Sequence, residues 1–99
     1  MLHYLLRGYR ILGTNVWAGG YELDVVARRG RTLVFCEVKS RSRDGYGGAV
    51  AAVTPEKQRR VRRAAEAWLV AHPACRGLAV RFDVVSELEG RLRRIPSAF

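Results

Sequence analysis

The sequence predicts an α/β domain, a mixed β-sheet flanked by helices in the order (α)βββαββ. Three observations lead there. Residues 33–36, "LVFC", are an unbroken apolar run of the kind found in a strand buried on both faces. Residues 54–72 carry apolar positions at helical spacing behind a Thr-Pro start. Short β-rich runs at 9–17, 21–27, 79–87 and 91–96 are separated by glycine-bearing breaks. Ninety-nine residues make one domain, residues 1–99, able to bury roughly two-thirds of the surface of its unfolded chain.

The elements follow in order. "MLHYLLRG" reads as the last turns of a helix stopped at Gly8. "YRILGTNVW" is a strand and "AGG" a break. "YELDVVA" and "TLVFCEVK" are two strands joined by "RRGR" as a tight hairpin. "SRSRDGYGGAVAAV", residues 40–53, is expected to be a flexible basic loop. Thr54 caps the main helix, Pro55 opens it, and Pro73 ends it after about His72. Val61, Ala65, Trp68, Leu69 and His72 should face the sheet, with Arg59, Arg62, Arg63 and Glu66 pointing outward. "AVRFDVVSE" and "RLRRIP" close the chain as a hairpin across "LEG".

Composition limits the partner class. The chain is 48% hydrophobic and 27% charged, as in a soluble globular protein, and no apolar run approaches the ~18 residues of a membrane span. No membrane partner is expected. "MLHYLL" is too short for a signal peptide, so the expected compartment is the cytoplasm. Cys36 and Cys75 form no metal-binding motif and are expected reduced. Eighteen basic residues, sixteen of them arginine, oppose nine acidic ones, giving a net charge of +9. Arginine is the side chain suited to bidentate phosphate contacts, and nucleic acid is the partner class this excess points to, DNA ahead of RNA.

The hairpin register brings charge together. A two-residue Gly30-Arg31 loop pairs residues whose numbers sum to 61, setting Asp24 opposite Glu37 and Glu22 opposite Lys39. An Arg29-Gly30 loop shifts the pairing by two and still keeps all four side chains on one face. Three carboxylates and one amine then converge beside Val25, Cys36 and Val38, at a cost unless something compensates. A divalent cation resolves the conflict: Mg²⁺, with Mn²⁺ as a substitute, takes hard oxygen ligands from Asp24 and Glu37, leaving positions for water and a phosphate oxygen. Lys39 is placed to neutralise, position or help deprotonate a water aimed at a phosphodiester. The competing account is structural, with cross-strand salt bridges from Glu22 to Lys39 and from Asp24 or Glu37 to an arginine.

The segments "YELDVVARRGRTLVFCEVKSR", "VTPEKQRRVRRAAEAWL", "VRFDVV" and the terminal "AF" together resemble the YraN-type family of small bacterial proteins. That family is similar to Holliday junction resolvases, and the resemblance spans residues 8–99. It implies a restriction-endonuclease-like core carrying the PD-(D/E)xK motif. Asp24 then matches the motif's lone aspartate, Glu37 and Lys39 its (D/E)xK, and Glu22 the glutamate of the family's G-E-(I/L)-D segment. Gln58 falls where related nucleases carry a supporting Gln or Lys. The implied activity is Mg²⁺-dependent endonucleolytic cleavage, selective for branched DNA: Asp24 and Glu37 hold metal, Glu22 assists, and Lys39 with Gln58 orients the attacking water. Tyr21 stands between Gly20 and Glu22, where the family usually has the glycine directly before the glutamate. The chain opens at "MLHYLLRGY" without the turn that usually carries an upstream glutamate, so a shortened N-terminal helix is expected.

Arg41, Arg43 and Tyr46, in the loop leaving the site strand, are the expected backbone-gripping or base-stacking residues, with Arg59, Arg62 and Arg63 on the helix as further phosphate contacts. Trp17 and Trp68 are expected in the core, Asp83 in a salt bridge with a sheet arginine, and Phe99 packed to tether the C-terminus. A domain of ~13 Å radius of gyration spans only about ten base pairs, which makes a C₂ homodimer the expected way to grip a junction. Two other classes compete with the nuclease. One is a non-catalytic nucleic-acid-binding module with a degenerate site; the other is an interaction subunit whose basic surface meets an acidic protein.

Overall fold

The computed structural model describes residues 2–40, 53–88 and 91–99, with a radius of gyration of 12.9 Å. Helix α1 (Leu2–Leu6) precedes strands β1 (Arg10–Ala18), β2 (Tyr21–Arg29) and β3 (Thr32–Ser40). Helix α2 (Pro55–Ala71) and a 3₁₀ turn (Pro73–Cys75) lead to β4 (Ala79–Leu88) and β5 (Arg91–Ile95). The five strands lie in sequence order, antiparallel except for the parallel β3–β4 pair that the α2 crossover requires. The predicted α/β class and element order are therefore observed. No helix among the described residues is long and apolar enough to cross a membrane.

Local chemistry sets the boundaries. Gly8, at φ +80°, ends α1. Thr54 Oγ1 accepts the Lys57 N–H at 3.3 Å and Pro55 occupies the first helical position, while His72 caps the other end before Pro73. The β2–β3 loop is Gly30-Arg31, with Arg29 paired to Thr32 and residues 25–29 following the predicted sum of 61. Gly30 alone in that turn has positive φ, +58°, as a type II′ turn needs. The β1–β2 loop, Gly19-Gly20, has positive φ at both positions, as a type I′ turn needs. A Cβ on Gly19 would lie 3.1 Å from the Arg63 carbonyl oxygen, so that turn also lets α2 come close.

The sheet buries both faces. Under α2 lie Leu23, Val26, Leu33, Phe35, Phe82 and the helix residues Val61, Ala64, Ala65 and Trp68. On the α1 side lie Tyr4, Tyr9, Val25, Ala27, Val34, Cys36 and Val85. Residues 33–36 are fully enclosed, as their apolar run predicts. Phe99 stacks on Phe82 at 5.2 Å and tethers the C-terminus, and Asp83 forms its ion pair with Arg81. Both cysteines are free thiols.

Two expectations need correction. Trp17 is 72% exposed, because β1 is an edge strand and Trp17, between Val16 and Ala18 that pack toward α2, points to the less covered face. His72 does not enter the core; it is exposed, with its ring lying on Trp68 at 3.8 Å.

Candidate functional site

Strict strand alternation slips at Asp24. Tyr21 and Leu23 pack toward α2, and so does Val26, while Val25 and Ala27 pack on the α1 side. In β1, Asn15 takes a left-handed φ of +51° between Thr14, paired to Val25, and Val16, paired to Leu23, so the neighbouring strand changes face at the same level. The regular β2–β3 ladder ends at Val25–Cys36, and beyond it the Asp24 Oδ2 accepts the backbone N–H of Val38 at 2.8 Å. A carboxylate thus occupies the opening between two separating strands.

Glu37 follows Phe35 by two residues, so it faces α2, and it is only 3% exposed. The Tyr21 hydroxyl donates to its Oε1 at 2.8 Å, and its buried Oε2 has no hydrogen-bond partner. Burial, then the nearby Asp24 charge, pushes the Glu37 carboxyl up to about 7, against the hydrogen bond from Tyr21 and the positive charge of Lys39. Tyr21 is itself held above the usual phenol range by burial and by its bond to Glu37, while Arg60 acts in the opposite sense. Lys39 is half-buried on the same face of β3 as Glu37.

Not every predicted residue arrives. Glu22 lies between Tyr21 and Leu23, pairs across to Trp17, and therefore points to the α1 side, away from Glu37 and Lys39. The expected convergence of three carboxylates becomes two, Asp24 and Glu37, with Tyr21 in the third place. The reason is the slip at Asp24, which a pure alternation argument does not contain. Among the described residues no group of three or more His, Cys, Asp or Glu side chains is arranged to hold a metal. The pair still suits Mg²⁺, which commonly takes one or two carboxylates with water and phosphate, and the unsatisfied Glu37 Oε2 is a hard oxygen with a coordination position to offer.

Gln58 stands in the first turns of α2, where its Nε2 donates to the Val53 carbonyl at 3.0 Å and fixes the chain entering the helix. Arg59 and Arg63 are exposed; Arg62 is exposed too, but its guanidinium lies over the Phe82 ring at 4.7 Å. Arg41, Arg43 and Tyr46 lie outside the described residues. Sequence reasoning missed Tyr21 and Arg60. Tyr21 could have been found from its place two residues before Leu23 in β2, and Arg60 from its i,i+4 spacing to Glu56, with which it forms a 2.8 Å ion pair.

A mixed sheet with its carboxylate pair where two strands part is thus the frame, and comparison with known proteins places it. The profile of the family described as "Uncharacterised protein family UPF0102" matches residues 1–86. A UPF0102 protein of Mycolicibacterium vanbaalenii is 51% identical over 90% of this chain and 72% of its own length. Relatives in Methylorubrum extorquens and Serratia proteamaculans are 42% and 43% identical, over 100% and 98% of this chain and 77% and 85% of theirs. The chain belongs to the UPF0102 family, the YraN-type family its motifs resemble.

Proposed function

We propose that this protein is a Mg²⁺-dependent endonuclease acting on phosphodiester bonds of DNA, with branched DNA the preferred substrate. The observation that carries the reading is Glu37: a buried carboxylate beside Asp24, with one oxygen fixed by Tyr21 and the other unsatisfied. Its burial and raised proton affinity are costs that a fold has no structural reason to keep, and perturbed carboxylates of this kind cluster at functional sites.

Asp24 and Glu37 are the metal-holding pair, and Mg²⁺ there supplies charge neutralisation at the phosphate and acidifies a water. Tyr21 holds Glu37 Oε1 and leaves the buried Oε2 without a hydrogen-bond partner. Lys39, two residues on and ~6.7 Å along the strand, is the positive group that positions the water or balances the phosphate charge. The charge of +9, carried mostly by arginine, supplies salt-sensitive attraction to a polyanion. DNA ahead of RNA and a branched substrate follow from the resemblance to Holliday junction resolvases. A C₂ dimer follows from the 12.9 Å radius, too small for one copy to span a junction. The reduced thiols suit the cytoplasm.

A second reading has its own support. Glu22 faces away and Gln58 is engaged with Val53, which is the arrangement of a nucleic-acid-binding module with a degenerate site. Labelled junction, duplex and single-stranded DNA, with RNA alongside, separate the two when incubated with Mg²⁺ or Mn²⁺. Cutting by the wild type that disappears in Glu37→Gln supports the nuclease. Salt-sensitive binding without cutting in either supports the module. An affinity that does not fall with rising salt overturns both.

A further inference from the structure

At the other end of β2 from the carboxylate pair, Arg10 and Arg28 stand directly opposite each other in the β1–β2 ladder. Like charges so placed repel, and here neither arginine has an ion pair among the described residues; Arg28 uses only its Nε, on the Gly30 carbonyl at 3.0 Å. The pair lies between two concavities. One, of about 380 Å³, is also lined by Gly8, Arg29 and Gly30. The other, of about 400 Å³, runs on from the arginines to Trp68, His72, Pro73 and Cys75.

These two surfaces have different chemistry. The arginines offer forked N–H donors whose mutual repulsion an anion would relieve, and arginine forks fit phosphate oxygens in bidentate fashion. The adjoining wall is apolar and flat. The exposed His72 ring lies on Trp68 with an interplanar angle of 11°, and the His72 Nδ1 is held against the Trp68 carbonyl oxygen at 2.7 Å, which fixes the ring in place. A cavity of this size is in the range of small-ligand sites.

We propose that this cleft is a nucleotide-binding subsite: Arg10 and Arg28 take the phosphate, and the apolar cavity beside His72 takes the attached base. Arg28 is four residues from Asp24 along β2, or ~13 Å, so the subsite is separate from the carboxylate pair and does not depend on cleavage there. The shared chemistry is a phosphate with a neighbouring planar base, whether from a free mononucleotide or from a strand of nucleic acid.

Tryptophan fluorescence tests it in the full chain. The protein has two tryptophans, and Trp17→Phe leaves Trp68, in the wall of the cavity, as the sole reporter. Titration with adenosine monophosphate, a short single-stranded oligonucleotide and inorganic phosphate is expected to give saturable changes. Phosphate alone should bind most weakly. Arg10→Gln with Arg28→Gln should weaken nucleotide binding about tenfold or more, as loss of a charge-assisted bidentate contact implies. An oligonucleotide that binds more tightly than the mononucleotide identifies a strand as the ligand, and equal affinities identify the free nucleotide. No saturable change with either nucleotide ligand overturns the proposal. So does binding that survives the double substitution, or phosphate binding as tight as nucleotide binding. If the arginines serve only the carbonyl end of α2, the double variant will lose melting temperature and leave the titration unchanged. An Arg10→Lys, Arg28→Lys variant keeps that charge while removing the fork, and it should still lose nucleotide affinity.

Discussion

The Tyr21 hydroxyl lies 2.8 Å from Glu37 Oε1 and is the side-chain donor to a carboxylate that the sheet otherwise encloses. It favours the ionised form of Glu37 against burial and the Asp24 charge, both of which favour the neutral one. Tyr21→Phe should therefore raise the proton affinity of Glu37 further. Any Mg²⁺-dependent cleavage should then have its acid limb displaced to higher pH, with loss of activity near neutrality that recovers in alkaline buffer. In stability the change should cost about 1–3 kcal/mol above neutral pH, since the ionised carboxylate loses its partner. A pH profile superposable on that of the wild type would refute the assignment.

Glu37 also ties stability to pH. Its carboxyl is raised from 4.5 to about 7 in the folded protein. Below 4.5 it is protonated in both folded and unfolded states and costs nothing. Between 4.5 and 7 the unfolded chain releases the proton and the folded chain retains it, so stability falls as pH rises, and the loss levels off above 7. Glu37→Gln removes this slope. The variant should gain on the order of 2–3 kcal/mol over the wild type at about pH 8 and little at about pH 4, read by urea unfolding at both. Equal differences at the two pH values would contradict the burial argument.

Asp24 separates charge from shape. Asp24→Asn can keep an oxygen acceptor for the Val38 N–H while removing the charge that pushes Glu37 upward. Carbon-13 titration of Glu37 should show its midpoint lowered relative to that measured for the wild type, since the Asp24 charge is one of the two causes that push it up. Mg²⁺ bound at the proposed pair would act in the same direction in the wild type, because a metal binds the ionised form of a carboxylate. Calorimetry in buffers of different ionisation enthalpy should show proton release on Mg²⁺ binding below neutral pH, and affinity that rises with pH until Glu37 is ionised. Asp24→Asn should abolish that binding. Retained Mg²⁺ affinity would place the metal elsewhere.

Much of this was legible because it depends on local rules. The Gly30-Arg31 turn fixes the 61-sum register from Arg29–Thr32 to Val25–Cys36; Asp24 lies just past its last pair, where its carboxylate accepts the Val38 N–H next to Glu37. Thr54-Pro55 and Pro73 bound α2 by capping chemistry, and the 33–36 run announces a strand covered on both faces. The rest is set by tertiary events. The change of face at Asp24 is matched by the left-handed Asn15 on the adjacent strand, and alternation alone turns Glu22 the wrong way. Trp17 and Trp68 look alike as residue types, but α2 brings Trp68 to the sheet and leaves the edge-strand Trp17 open. Trp68→Ala should accordingly cost about 3–5 kcal/mol and Trp17→Ala under about 0.5 kcal/mol in denaturant unfolding.

Asp83 provides the test of what holds the two ends of the chain to the sheet. It is fully enclosed and accepts from Tyr4 Oη at 3.0 Å, from Arg81 Nε and Nη2 at 2.8 Å each, and from the Ser97 N–H at 3.0 Å. Arg81 Nη2 also donates to the Tyr9 hydroxyl at 2.9 Å, so one carboxylate links α1, the start of β1, β4 and the C-terminal segment. Asp83→Ala leaves Arg81 without its counter-charge and should cost about 3–5 kcal/mol. Arg94 Nη1 also lies 3.7 Å from Asp83 Oδ2, so replacing all three charged partners by apolar residues, Asp83→Leu with Arg81→Met and Arg94→Met, should cost much less than Asp83→Ala alone, because neither guanidinium is then stranded. Amide exchange in α1 and around Ser97 should accelerate together in Asp83→Ala. If it accelerates at one end only, Asp83 is serving two independent contacts and not a single clasp.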